Sequence, residues 1–247
     1  DSMAGRVVLF LSLLLADASA FLPSCHVGSR MNIGRHELRM SSSSSNDQRV
    51  LLRQGLLQLC KSGPKNGVGA SEDLILSVKE KATELAKLNP TQRQATSPML
   101  DGKWRLVFST TKGPSSGMLG PFVGDVFQDI VLEQEKYFNI LELGFVEAVL
   151  SAHWDVMGQE KWRVFFDDIQ FSLFGIPVFK KEFSSSQRDQ VLEGLDTLGG
   201  TEKEARSSNN GGIWDMAYCN DTLRVLWAYG VQREASKASI YVLEREK

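Results

Sequence analysis

Leu100-Asp101-Gly102-Lys103-Trp104-Arg105-Leu106-Val107-Phe108-Ser109-Thr110 decides how this chain is read. Trp104, Leu106 and Phe108 fall on one face of an extended segment that begins at Gly102; Arg105 and Ser109 fall on the other. Apolar residues at a period of two mark a half-buried β-strand. The pattern repeats downstream. Residues 124–130 and 136–143 read as strands. Val146, Ala148, Leu150, Ala152, Trp154 and Val156 alternate with Glu147, Ser151, His153 and Asp155 along one long strand with a wet outer side. Trp162, Val164 and Phe166 continue the series, and residues 171–183 are apolar around a turn at Gly175 and Pro177 before Lys180-Lys181. Residues 184–212 are polar and glycine-rich, a surface loop with room for one short strand at 190–192. The pattern resumes at Ile213-Trp214, runs through Leu223, Val225 and Trp227, and ends at 240–245. About eight or nine sequential strands without crossover helices define a mainly β fold, an antiparallel meander closed into a barrel.

Upstream, Leu52, Leu56 and Leu59 recur at helical spacing, with Gly55 against the pattern. Ser71 reads as an N-cap, with Glu72 and Asp73 in the first turn and Leu74, Val78, Ala82 and Leu85 as the apolar stripe. Asn89-Pro90 stops this helix. The two helices pack on the barrel, either over one mouth or as cover for a sheet edge.

The first residues have another character. Arg6, the apolar run 7–16 and Ala18-Ser19-Ala20 form a signal-peptide pattern over residues 1–20. The run is shorter than the about 20 residues that span a bilayer. No later segment is long and apolar enough, so a soluble or peripheral protein is expected. Residues 21–45 hold Arg30, Arg35 and Arg39, one acid, Glu37, and the serines 41–45, which is transit-peptide chemistry. The pair resembles the two-part address of algal secondary plastids; a secreted protein with a linker is the alternative. The expected organisation is therefore 1–20 signal peptide, 21–45 transit-like segment, 46–90 helical segment and 98–247 barrel domain. The net charge of −2 supplies no basic field for nucleic acid. Cys60 and Cys219 stand too far apart for a zinc pattern and read as free, buried thiols; Cys25 lies in the presequence.

Several pieces taken together resemble the plastid lipid-associated proteins, also called plastid fibrillins. They are Asn89-Pro90, the opening strand through Thr111, Gly124-Asp125-Val126-Phe127-Gln128, Trp214-Asp215-Met216-Ala217-Tyr218-Cys219-Asn220-Asp221-Thr222-Leu223-Arg224-Val225 and Tyr241-Val242-Leu243-Glu244-Arg245. The resemblance covers residues 51–245. It implies a lipocalin-like barrel that holds hydrophobic plastid molecules at plastoglobules or thylakoid margins. The polar expansion at 184–212 and the long hairpin at 230–235 depart from the plainer family pattern and bear on one barrel rim. Gly102-Lys103-Trp104 also resembles the opening of a lipocalin, where the tryptophan packs at the closed end under an arginine from a late strand. Arg224 or Arg245 fills that role here, a contact worth about 0.5–2 kcal/mol.

A barrel of this size is either filled by its side chains or holds one small ligand. Trp104, Phe108, Trp154, Phe166, Tyr218 and Trp227 are the candidate residues for lining a pocket or for plugging it. A long acyl chain gains about 0.8 kcal/mol per buried methylene, about 12 kcal/mol before ordering costs. Met118, Leu119 and Phe122 in a glycine-rich loop, with Lys180 and Lys181 for anionic headgroups, are candidates for membrane contact or for capping the core. Gly113-Pro114-Ser115-Ser116-Gly117 matches a hydrolase elbow, and Ser115, Asp129 and His153 have the chain order of a triad. Met118-Leu119-Gly120-Pro121 cannot start the helix that an elbow requires. His153 with Asp155, or Asp167 with Asp168, offers two ligands, which do not make a metal site. No catalytic residue, cofactor or metal is assigned. The expected function is holding or carrying a carotenoid, prenylquinone or acyl lipid at a membrane or plastoglobule surface. A scaffold that docks on a photosynthetic or plastoglobule assembly is the second reading, and a barrel enzyme acting on lipid or pigment the third.

Overall fold

Extended antiparallel segments follow one another along the chain, as the period of two predicts. The computed structural model describes residues 42–183, 211–230 and 238–246. Residues 1–41, with the expected signal and most of the transit-like segment, most of the polar region 184–212, with the short strand expected at 190–192, and the hairpin residues from 231 lie outside the described residues. The helices are α1 (Ser42–Ser62) and α2 (Glu72–Ala86). The strands are β1 (Gly102–Ser109), β2 (Met118–Leu119), β3 (Phe122–Val123), β4 (Asp125–Val131), β5 (Lys136–Leu143), β6 (Val146–Met157), β7 (Lys161–Leu173), β8 (Ile176–Glu182), β9 (Gly211–Cys219), β10 (Leu223–Gly230) and β11 (Ser239–Arg245).

The ladder runs β6-β5-β4-β1-β11-β10-β9-β7, and β6 also pairs with β7, so eight strands close on themselves. β8 extends the far half of β7 outside this ring, and β2 and β3 form a separate small hairpin. Every pairing is antiparallel. The connections therefore sort to two ends. Residues 89–101, 132–135, 158–160 and 220–222 lie at one end; 110–124, 144–145 and 174–175 lie at the other.

Alternation along each strand places Trp104, Leu106, Gln128, Tyr137, Leu150, Trp154, Trp162, Trp214 and Arg224 on the inner face. β1 does not keep its phase. Its register against β11 shifts between Leu106 and Phe108, and this bulge turns Phe108 outward. Phe108 then joins Tyr218, Leu223, Val225, Ile240 and Val242 in a second core under Leu56, Cys60, Val78, Ala82 and Leu85 of the helices. The helices thus lie against the barrel wall rather than over a mouth. Ser71 caps α2 by accepting from Leu74 N at 3.3 Å. Gly55 sits where α1 passes α2: a Cβ there would stand 3.4 Å from Lys81 Cδ.

Candidate functional site: the barrel lumen and its rim

One end is shut by backbone. Residues 94–101 wind through two short 3-10 turns across it. The indole of Trp162 donates to Ala95 O at 2.7 Å, and that of Trp104 to Leu100 O at 2.9 Å. Arg245 stacks on Trp104, its guanidinium carbon 4.1 Å from the ring centroid, and donates to the carbonyls of Asp101, Met99 and Asp221. Trp154 stacks on Trp162 at 4.0 Å, and Tyr137 packs on Trp214 at 4.6 Å. These aromatics are buried and fill the closed half. Burial also pushes the Cys219 thiol up to about 11 and that of Cys60, under the helices, to about 12, so both are poor nucleophiles at neutral pH.

Arg224 lies deeper in the lumen and is fully buried. It lies beside Trp162 and Trp214, its guanidinium carbon 5.8 and 5.3 Å from their centroids, and donates to Gln128 Oε1 at 3.2 Å. Burial pulls its pKa down to about 10, which leaves it a cation at neutral pH.

Past this layer the lumen changes. Asn139, Leu143, Leu150, Ile169 and Leu173 occupy inner-face positions and are half-buried, while the row between them, Val126, Leu141, Ala148 and Phe171, is buried. The hairpin tips beyond are apolar and exposed. Phe174 is 77% exposed and stacks on Phe145 across two adjacent tips, ring centroids 4.7 Å apart. Ile176 and Val178 on β8 are exposed beside them, and Phe122 is 62% exposed at its own tip at the same end of the barrel. A buried asparagine supports that last tip. Asn66, left-handed at φ 55°, donates to Ser116 O and Gly124 O at 3.0 and 2.9 Å, and its own carbonyl accepts from Ser109 N. Two clefts on the outer wall, of about 690 and 320 Å³, have linings that include Asn89, Gln94 and Glu160 in the first, which is largely polar, and Lys65, Arg105 and Asp125 in the second, which is mixed.

The structure divides the residues singled out from the sequence. Trp104, Trp154 and Phe166 are on the inner face, the first two in the packed half. Phe108, Tyr218 and Trp227 are corrected: they face outward against the helices and line no lumen. Of the two arginines, Arg245 covers Trp104, while Arg224 belongs to the lumen. Met118 and Leu119 are half-buried in the β2–β3 hairpin, with Phe122 exposed. Lys180 pairs with Asp168 and Glu182 at 3.7 and 3.4 Å; Lys181 is exposed. Ser115, Asp129 and His153 do not come together. Ser115 lies by Tyr241 at the open end, and the His153 ring meets Asp167 at 2.5 Å on the outer wall. Among the described residues no group of three or more His, Cys, Asp and Glu side chains could hold a metal. Phe145, Phe174, Ile176 and Asn66 were missed. The first three sit in turns and on a flanking strand, where a lone apolar residue carries no periodic signal.

A closed antiparallel barrel with a tryptophan–arginine floor and two flanking helices defines a lipocalin-like fold. The PAP_fibrillin family model matches residues 51–226, and the chain belongs to that family. Neither the curated proteins nor the solved structures return a match.

Proposed function

We propose that this protein binds a hydrophobic plastid molecule in the open half of its barrel and exchanges it with a membrane or plastoglobule surface through the apolar rim. The observation that carries this reading is the stacked pair Phe145–Phe174, held exposed with Ile176 and Val178 at the mouth. A soluble surface does not ordinarily present such a patch unless something covers it. Lys181 adds a cation suited to anionic headgroups. Family membership and the barrel fold are consistent with a plastid lipid-associated protein. No helix among the described residues is long and apolar enough to cross a membrane, so contact through the rim is the form of attachment that the surface itself offers. Phe166, Leu150 and Ile169 are assigned to the ligand tail, and Phe122 and Leu119 to the lipid surface. The cargo class is a carotenoid, prenylquinone or acyl lipid.

Flotation with phosphatidylcholine vesicles, with and without phosphatidylglycerol, tests the rim. The double variant Phe145→Ser, Phe174→Ser should bind about tenfold more weakly, because two exposed rings no longer insert. Phosphatidylglycerol should strengthen binding of the parent protein. Equal flotation of parent and variant would remove the rim from the account.

A further inference from the structure

Arg224 is the sole charged side chain in the fully buried set among the described residues. It crosses the lumen from β10 toward Gln128 on β4, three strands away around the ring. Its Nη1 is satisfied by Gln128 Oε1. The opposite, side-on edge is not. Nη2 meets only the weak acceptor Met216 Sδ at 3.8 Å, and Nε has no hydrogen-bond partner. No carboxylate of the described residues forms a salt bridge with it; the groups that favour its charged form are Cys219 and Tyr137, both neutral at physiological pH.

An uncompensated cation in a dry interior is expensive, and one neutral acceptor with two tryptophan faces offsets only part of that cost. A lumen that needed only filling would hold a leucine or methionine there. The Nε–Nη2 edge is the edge that grips a carboxylate with two parallel hydrogen bonds. Half-buried inner-face positions lie one strand beyond its Gln128 partner. Asn139 neighbours Gln128 in the ladder, shares the inner face and is half-buried, and Leu150 and Ile169 follow it across β6 and β7.

We propose that Arg224 anchors the head of an acidic lipid: a single carboxylate on a long apolar tail, bound head-first. The tail runs past Leu150, Ile169 and Phe171 to the rim. One guanidinium balances one negative charge; a phosphate monoester, at about −1.5 to −2, leaves a surplus of negative charge in the lumen. This assignment rests on the lipid-binding reading above and narrows its cargo to a monocarboxylate.

The test titrates the full chain, freed of bound lipid, with fluorescent cis-parinaric acid and with its methyl ester. The acid should bind about tenfold or more tightly than the ester. In Arg224→Met the acid should fall to the level of the ester. This variant replaces a buried cation with an apolar side chain of similar length and is expected to fold. If it does not fold, the acid-to-ester ratio of the parent protein decides alone. Equal binding of acid and ester overturns the proposal and leaves lipid binding standing; binding of neither removes both. Dodecyl phosphate that displaces the probe as well as dodecanoate does would overturn the choice of a carboxylate.

Discussion

Arg245 joins β11 to two other stretches of chain. Its donors reach carbonyls of Met99, Asp101 and Asp221, and its flat face covers Trp104. Gly102 makes room for it: a Cβ at that position, where φ is +100°, would stand 3.1 Å from Arg245 Nη1. Truncation frees three carbonyls at once and uncovers the indole. Arg245→Ala should therefore lower stability by about 4 kcal/mol in urea unfolding, about 1 kcal/mol per lost hydrogen bond and about 1 kcal/mol for the stack. A loss under about 1 kcal/mol would mean that water replaces those contacts and that the closed end does not depend on them. The same scale shows a limit of the sequence. Arg224 and Arg245 both sit in late strands, and nothing in their neighbours tells them apart. The pairing of Trp104 with Arg245 is set by the β1–β11 register, a long-range fact that local pattern does not carry.

At the scale of elements, the helices and β9 to β11 explain one another. Leu223, Val225, Ile240 and Val242 face outward, yet they are buried because α1 and α2 lie on them. Leu56 is central to that layer and fully buried. Leu56→Ala should cost about 2–5 kcal/mol of stability, from lost burial and the cavity left behind. A helix pair that merely rests on the wall would give less than about 1 kcal/mol. The layer also decides what was legible. β4 to β7 have a wetter outer face over much of their length, so alternation assigns Trp154, Trp162 and Val164 to the interior. β9 to β11 are apolar on both faces, one toward the lumen and one toward the helices. Period-two reading cannot rank the two, and Tyr218 and Trp227 were assigned inward for that reason. Phe108 failed differently: a bulge at Val107 reversed the phase, and no residue there announces it. Ser71 and Asn89-Pro90, whose effects are local, bounded α2 as expected.

The barrel formed by the described residues has two halves. Trp104, Trp154, Trp162 and Trp214 pack one half behind a backbone plug, and half-buried residues lead from the other half to an exposed aromatic rim. The closed half holds a buried charge; the other half holds the half-buried inner positions and the exposed rim. Under the proposed function, this division lets one barrel be packed in one half and take a ligand in the other, the two alternatives that composition leaves open. The proposed function puts the lipid inside the barrel rather than on its wall. Native mass spectrometry of the full chain after incubation with a plastid lipid extract reads that directly, when compared with Leu150→Trp, which fills the open half from its inner face. One lipid per chain on the parent protein and none on Leu150→Trp is the expected result. No lipid on the parent protein, or the same load on both, would contradict it.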